Sequence, residues 1–218
     1  MNDKDNNIEK VENSENEMTD SIGFDVSGHI LIRDKETGEE LVNKRNAIHY
    51  GNLGYLISQA LGNQDNKIIH FMAFGNGATS VDSSGKVIYK STNTSESRET
   101  SASLYRKTFA KVVSNTAQNS DQASNKLEVI EGSGFTDMKI TCTLGLNEPS
   151  GQQSFDTSSN NEGDFIFDEL GLISYVDGAN ATTASTSGDL LTHVIFHPVQ
   201  KSLNRIIEVV YTLRIQMT

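Results

Sequence analysis

The longest alternation of apolar and polar side chains closes the chain. Ile207, Val209, Tyr211, Leu213, Ile215 and Met217 alternate with Glu208, Val210, Thr212, Arg214 and Gln216. A period of two predicts a long strand with one apolar face. The same period appears near the start, where Val26, Gly28, Ile30 and Ile32 face away from His29, Leu31 and Arg33. Asp34-Lys35-Glu36-Thr37-Gly38 is a turn cluster, and Leu41 and Val42 begin a return strand, so a hairpin is predicted. The period then changes. Ile48, Leu53, Leu56, Ile57, Ala60 and Leu61 share one face at a spacing near 3.6, which predicts a helix over about 47–61. Asn46 is read as its N-cap and Gly62-Asn63 as its stop. Gly51 and Gly54 each cost that helix about 1 kcal/mol relative to Ala and are read as points where a sheet approaches the backbone.

The rest of the pattern is β. Lys67–Phe74 reads as a buried strand ending at the turn Gly75-Asn76-Gly77. Lys86–Lys90, Leu104–Val113 and Leu127–Ile130 are shorter apolar runs. Phe135–Leu146 alternates through Ile140, Cys142, Leu144 and Leu146. Phe165–Tyr175 reads as a strand broken at Gly171, and Leu190–Val199 as a strand ending near Pro198. Polar loops occupy 91–103, 114–126, 147–163 and 177–189. Eight to ten strands, one helix and no βαβ rhythm predict a mainly β fold, an antiparallel β-sandwich or jelly-roll-like domain with one α-helix. No fixed-period repeat points to a solenoid or propeller.

Composition changes this picture at one end. The first twenty residues hold Asp3, Asp5, Glu9, Glu12, Glu15, Glu17 and Asp20 against Lys4 and Lys10. Such a segment has little to bury. Residues 1–24 are therefore read as a flexible acidic arm, either solubilising or ordered on a partner, and residues 25–218 as a single domain. The whole chain carries a net charge of −11. That argues against sequence-independent nucleic-acid binding. The absence of a long apolar run and of a basic, apolar leader predicts neither a membrane span nor secretion.

Candidate chemistry is sparse. His193 and His197 have the spacing of a helical zinc pair, but in a strand they would lie about 13 Å apart, too far for one metal. His29, His49 and His70 fall on separate elements and read as structural. Gly75-Asn76-Gly77 lacks the remainder of a phosphate loop. Asp164, Asp168 and Glu169 form an acidic group of the residue types used in glycoside hydrolysis or Ca²⁺ binding. Adjacent Asp168 and Glu169 would point to opposite faces of a strand, and capping or salt bridging is the simpler reading. Cys142 reads as a small buried apolar residue. Gly132-Ser133-Gly134 lacks a nucleophile-elbow pattern, and Asn180-Ala181-Thr182 is a bare glycosylation sequon. No catalytic, cofactor-binding or metal residue is assigned. The expectation is a chain that is not an enzyme and needs no cofactor.

Four blocks carry a family resemblance: GHILIRDKETGEELVNKRNAIHYGNL, HFMAFGNGAT, FIFDELGL and LLTHVIFHPVQKSLNRIIEVVYTLRIQM. In this order, over 26–80 and 163–217, they resemble virion structural proteins of tailed bacteriophages. Phe167–Leu172 is also similar to a strand-and-turn element of tail-fibre and baseplate-associated proteins. The resemblance implies a particle subunit, assembled in the bacterial cytoplasm, whose partners are copies of itself and other virion proteins, with no nucleic acid and no membrane. A tail, baseplate or fibre position is favoured, with capsid decoration or a head fibre as the alternative. The arm at 1–24 and the loops at 91–103, 147–163 and 177–189 are the expected contact surfaces. Two further readings are a carbohydrate-binding module using Tyr55, Tyr89, Tyr105 and Tyr175, and a glycan-cleaving enzyme using Asp164, Asp168 or Glu169.

Overall fold

The computed structural model describes residues 23–64, 67–150, 165–175 and 188–217. Within them the chain forms β1 (Phe24–Asp34), β2 (Glu40–Arg45), β3 (Ala47–Ile48) and α1 (Tyr50–Leu61). Then come β4 (Ile69–Gly75), β5 (Thr79–Val81), β6 (Val87–Tyr89) and β7 (Lys107–Val112). β8 (Lys126–Glu131), β9 (Phe135–Leu144), β10 (Ile166–Ser174), β11 (Thr192–Gln200) and β12 (Ile207–Met217) complete it.

Two five-stranded antiparallel sheets pack face to face. The first has the order β2-β1-β12-β9-β8 and the second β3-β11-β10-β4-β7, while β5 and β6 form a separate ribbon. The alternation at the C-terminus sets the centre of the first sheet. β12 pairs along its length with β1, from Phe24↔Met217 to Asp34↔Ile207, and on its other edge with β9. Ile30, Ile140, Val209 and Tyr211 face inward from this sheet and meet Met72, Phe74, Leu170, Leu172 and Val194 of the second. The β1–β2 turn is set by Asp34, whose Oδ1 accepts from the amides of Glu36 and Thr37 at 2.9 Å each. Gly38 supplies the positive φ of 76° that the turn needs.

β4 and β10 are buried at every position, which alternation alone does not explain. Their second face is also covered. Phe71, Ala73, Ala110, Val112 and Ile173 pack there against Ala102, Leu104 and Leu190. The stretch 91–103 is a polar loop, as expected, but its Ala102 is buried and joins a second, smaller core.

The helix begins later than its pattern suggested. Ala47 and Ile48 form β3 and pair with His193 and Thr192 of β11. The N-cap is His49, not Asn46: its Nδ1 accepts from the amide of Asn52 at 3.3 Å. Ile48 crosses between the sheets instead of joining the helix face, and Asn46 serves the crossing by donating to Tyr211 Oη and, at 3.4 Å, to the Ala47 carbonyl. At the other end Gly62 is the C-cap, as expected, but Leu61 is exposed.

Three further differences have local causes. β3 and β5 raise the strand count among the described residues above ten; both are too short to show a period. β10 is not broken at Gly171. A Cβ there would lie 2.6 Å from the Thr192 carbonyl oxygen and 2.7 Å from Leu190, so the glycine is a site of close packing within a continuous strand. β11 ends at Gln200, close to where it was expected, but starts at Thr192; Pro198 sits where the register steps from Glu169↔Ile195 to Phe167↔Val199, placing the residue without an N–H at an irregularity. The expected arm ends inside the fold, because Phe24 already opens β1; residues 1–22 lie outside the described residues.

Candidate functional site

Three sequence candidates come together in the second sheet. Glu169 pairs with Ile195 across β10 and β11, which places it on one face with His193, two residues along. His193 Nε2 lies 3.0 Å from Glu169 Oε2, and both side chains are completely buried. The amide of Asn93 donates to His193 Nδ1 at 2.8 Å. Nδ1 is therefore the acceptor, and Nε2 carries the hydrogen donated to Glu169.

The remaining lone pairs of Glu169 take main-chain donors. Oε1 accepts from Gly77 at 3.1 Å and Arg106 at 2.8 Å, and Oε2 from Tyr105 at 2.9 Å. Burial pushes this carboxyl up, but His193 and the amides of Arg106, Tyr105 and Gly77 outweigh it and hold it below the ordinary range. Asp168 is bonded in the same style. It accepts from the amides of Ala78 at 3.1 Å and Thr79 at 2.8 Å and from the Thr79 hydroxyl. Here burial wins, and the carboxyl is raised. The two carboxylates were expected to diverge; both end on the consecutive residues Gly77, Ala78 and Thr79. The turn at Gly75-Asn76-Gly77 is thus clamped by carboxylates, and a Cβ at Gly77 would lie 2.7 Å from the Arg106 nitrogen.

This arrangement is a clasp. The acceptor bonds tie residues 77–79, the 105–106 stretch and His193 to β10, and His193 has both ring nitrogens engaged. Asn52 does the same on α1, donating to the Glu99 and Leu190 carbonyls and accepting from the Glu99 amide at 2.8–2.9 Å. Asp164 lies outside the described residues, as does Asn180-Ala181-Thr182.

The other candidates are scattered. His197, on the same strand as His193, is exposed, with its Nδ1 3.2 Å from Tyr89 Oη. His29 Nε2 contacts Asn43 Oδ1 at 2.8 Å on the outer surface. His70 Nδ1 meets Ser114 Oγ at 2.7 Å, and its ring stands edge-on to Phe71 and Tyr175. Burial pushes both His49 and His70 below the ordinary histidine range. Cys142 is fully buried, and burial pushes its thiol up to about 12. Among the described residues, no group of three or more His, Cys, Asp or Glu side chains is placed to hold a metal ion. No helix of the described residues is long and apolar enough to cross a membrane.

One surface feature was missed from the sequence. β2 stops pairing with β1 at His29, because the chain leaves at Arg45 for the second sheet. Among the described residues, Phe24–Gly28 pair with β12 on one side only. A cleft of about 530 Å³ opens on the other side. Its walls come from 25–28, from 45–48 with Tyr50, and from 94–96, three stretches with no common motif to mark them. Gly28 permits the crossing, since a Cβ would lie 1.8 Å from Asn46 Oδ1. Comparison of the chain with family models, with curated proteins and with solved structures found no match.

Proposed function

We propose that the chain is a structural subunit of a tailed-phage particle, tail- or baseplate-associated, acting by assembly with copies of itself and with neighbouring virion proteins. The observation that carries the reading is the edge strand β8. Its inner edge pairs with β9 from Lys126↔Thr141 to Glu131↔Thr136, and its outer edge closes the sheet order. Val129 and Ile130 on it are 64% and 46% exposed. Among the described residues no strand pairs on this outer edge, where the Asn115 side chain donates to the Leu127 carbonyl at 3.1 Å; an edge bearing exposed β-branched side chains is a template for adding a strand of another chain. The occupant assigned to it is a second copy.

Two further features support a particle subunit. The resembling blocks cover β1 to β4 and β10 to β12, seven of the ten strands in the two sheets. The buried charges fix loops, which suits a scaffold that presents surfaces and must stay rigid. The acidic stretch before β1 is assigned as a contact with a neighbouring subunit, with its ordering entropy met by the contacts made there.

The test is quantitative mass spectrometry of intact purified particles. A low copy number in a multiple of three or six supports a tail or baseplate position. Hundreds of copies would move the subunit to the capsid surface, and absence from the particle would overturn the reading.

A further inference from the structure

The cleft beside β1 joins three kinds of group. Tyr50, the first residue of α1, is 53% exposed, and among the described residues it has no ring contact or hydrogen bond. The other tyrosines differ. The Arg98 guanidinium lies 3.5 Å from the Tyr55 ring centroid and the Lys90 ammonium 4.3 Å from that of Tyr105. Tyr175 is buried, and Tyr89 contacts His197. Tyr50 offers an uncovered aromatic face beside the cleft of about 530 Å³, whereas Tyr89, also half exposed, borders a smaller cleft of about 190 Å³ and is tied through its hydroxyl to His197.

Around it stand charges with no ion pair among the described residues: Asp25, Arg45 and Glu96, all exposed and all lining the cleft. The third group is main chain. Asn46 N donates to Gly28 O at 3.2 Å, so Gly28 turns its peptide groups toward this side. Alternate residues of a strand face the same neighbour, which directs the peptide groups of Val26 into the cleft as well, past the point where β2 stops pairing.

We infer that this cleft binds a saccharide. A sugar presents C–H faces that lie on an aromatic ring and hydroxyls that both donate and accept. Carboxylates supply acceptors only and a guanidinium donors only. Asp25, Glu96 and Arg45 all line the cleft, and with the Val26 peptide groups they match a neutral ligand rich in hydroxyls. Two carboxylates with one guanidinium disfavour a phosphate or other anion. The volume falls within the usual range for small-ligand sites. The inference stands apart from the assembly reading and does not depend on it.

The test uses the full-length chain and saturation-transfer NMR. The probes are neutral hexoses, N-acetylhexosamines and their disaccharides at millimolar concentration. The expected result is transfer to at least one sugar, weakened about tenfold by Tyr50→Ala and severalfold by Asp25→Asn and Glu96→Gln, while Tyr89→Ala leaves it unchanged. A tenfold loss corresponds to about 1.4 kcal/mol. Unchanged thermal midpoints show that the variants fold, and Arg45→Ala combined with Glu96→Gln probes the same walls without touching α1. No transfer to any probe, transfer indifferent to Tyr50→Ala, or loss on Tyr89→Ala instead would overturn the inference. So would uptake of an extended peptide that pairs along Phe24–Gly28 in place of the sugars.

Discussion

Glu169 Oε2 accepts a hydrogen bond from His193 Nε2 at 3.0 Å, with both side chains wholly buried. The same carboxylate takes three amides from two loops. In Glu169→Gln one oxygen becomes an NH₂ group that faces existing donors. The oxygen can keep two amides, but the NH₂ then confronts either Tyr105 N–H and His193 Nε2–H or their counterparts on Oε1. Leaving buried donors unpaired is costly, so a loss of about 3 kcal/mol is expected, in the range found for broken buried pairs. At this chain length that lowers the thermal midpoint by roughly 6–12 °C. A midpoint unchanged by the substitution would show that the clasp contributes nothing to stability.

Acid should weaken the fold. The Thr37 amide leads the groups holding Asp34 low, the Ser84 hydroxyl those holding Asp82, and the Arg214 side chain those holding Asp137. Glu169 is also held low. A carboxyl held low in the fold contributes stability above its unfolded pKa and loses it as pH falls through the folded value. Asp168 has the opposite sign: burial raises it, so its contribution is fully present at low pH and is lost as pH climbs through its raised value. Four groups oppose one, and stability is expected to fall as pH drops below about 4. Thermal unfolding followed between about pH 2 and 6 tests this, and Asp137→Asn should flatten part of the slope.

Lys201 predicts a rise at the alkaline end. Its side chain is buried, and among the described residues its Nζ donates to the carbonyls of Ser202 at 2.9 Å and Leu146 at 3.4 Å. Burial pushes the ammonium down to about 8. Between that value and the ordinary lysine range the unfolded chain holds more protons, so stability increases with pH across the interval. Lys201→Met removes the buried charge. It is expected to add about 1 kcal/mol at neutral pH and to abolish the alkaline rise. A destabilised Met variant would show that the two carbonyl bonds outweigh desolvation.

The legible parts of this fold are those set by long periods. Ile207–Met217 and Val26–Ile32 announced their strands because one face of each meets the core and the other meets solvent. β4 and β10 read as apolar runs, but which partner covers each face depends on Ala102 and Leu104, far away in sequence. Ile48 fitted a helical spacing, and only its pairing with Thr192 shows it to be in a strand. The clasp was half visible. DFIFDELGL displayed the carboxylates, yet the amides of residues 77–79 and 105–106 carry no side-chain signature. The cleft was invisible, because it is made by a strand ending early.

Gly51 and Gly54 give a paired test of close approach. Both lie on α1, and the sequence treats them alike. A Cβ at Gly51 would sit 2.1 Å from the Ser97 carbonyl carbon and 2.3 Å from the Arg98 nitrogen, whereas at Gly54 it would meet nothing within 4 Å. The neighbour is loop main chain, not a sheet. Gly54→Ala should stabilise by about 1 kcal/mol through helix propensity, and Gly51→Ala should destabilise by about 1–3 kcal/mol through overpacking. Denaturant midpoints measured side by side decide it, and equal effects would contradict the close contact.

The edge of β8 decides between a lone sandwich and an assembling one. Val129 and Ile130 are exposed, so charging them removes little core packing. A lysine in an outer strand discourages pairing with another chain, since joining the edge would bring like charges together at the seam. For Val129→Lys with Ile130→Lys the expected outcome is a lower mass by light scattering than wild type at the same concentration. The thermal midpoint of the dissociated subunit should change little, because surface substitutions usually fall within about 0.5 kcal/mol. If the wild-type chain is already monomeric at every concentration tested, β8 is a blunt edge and the assembly contacts lie elsewhere. If the double variant instead unfolds, the strand is held by its inward residues more weakly than the pairing of Leu127 with Ile140 implies.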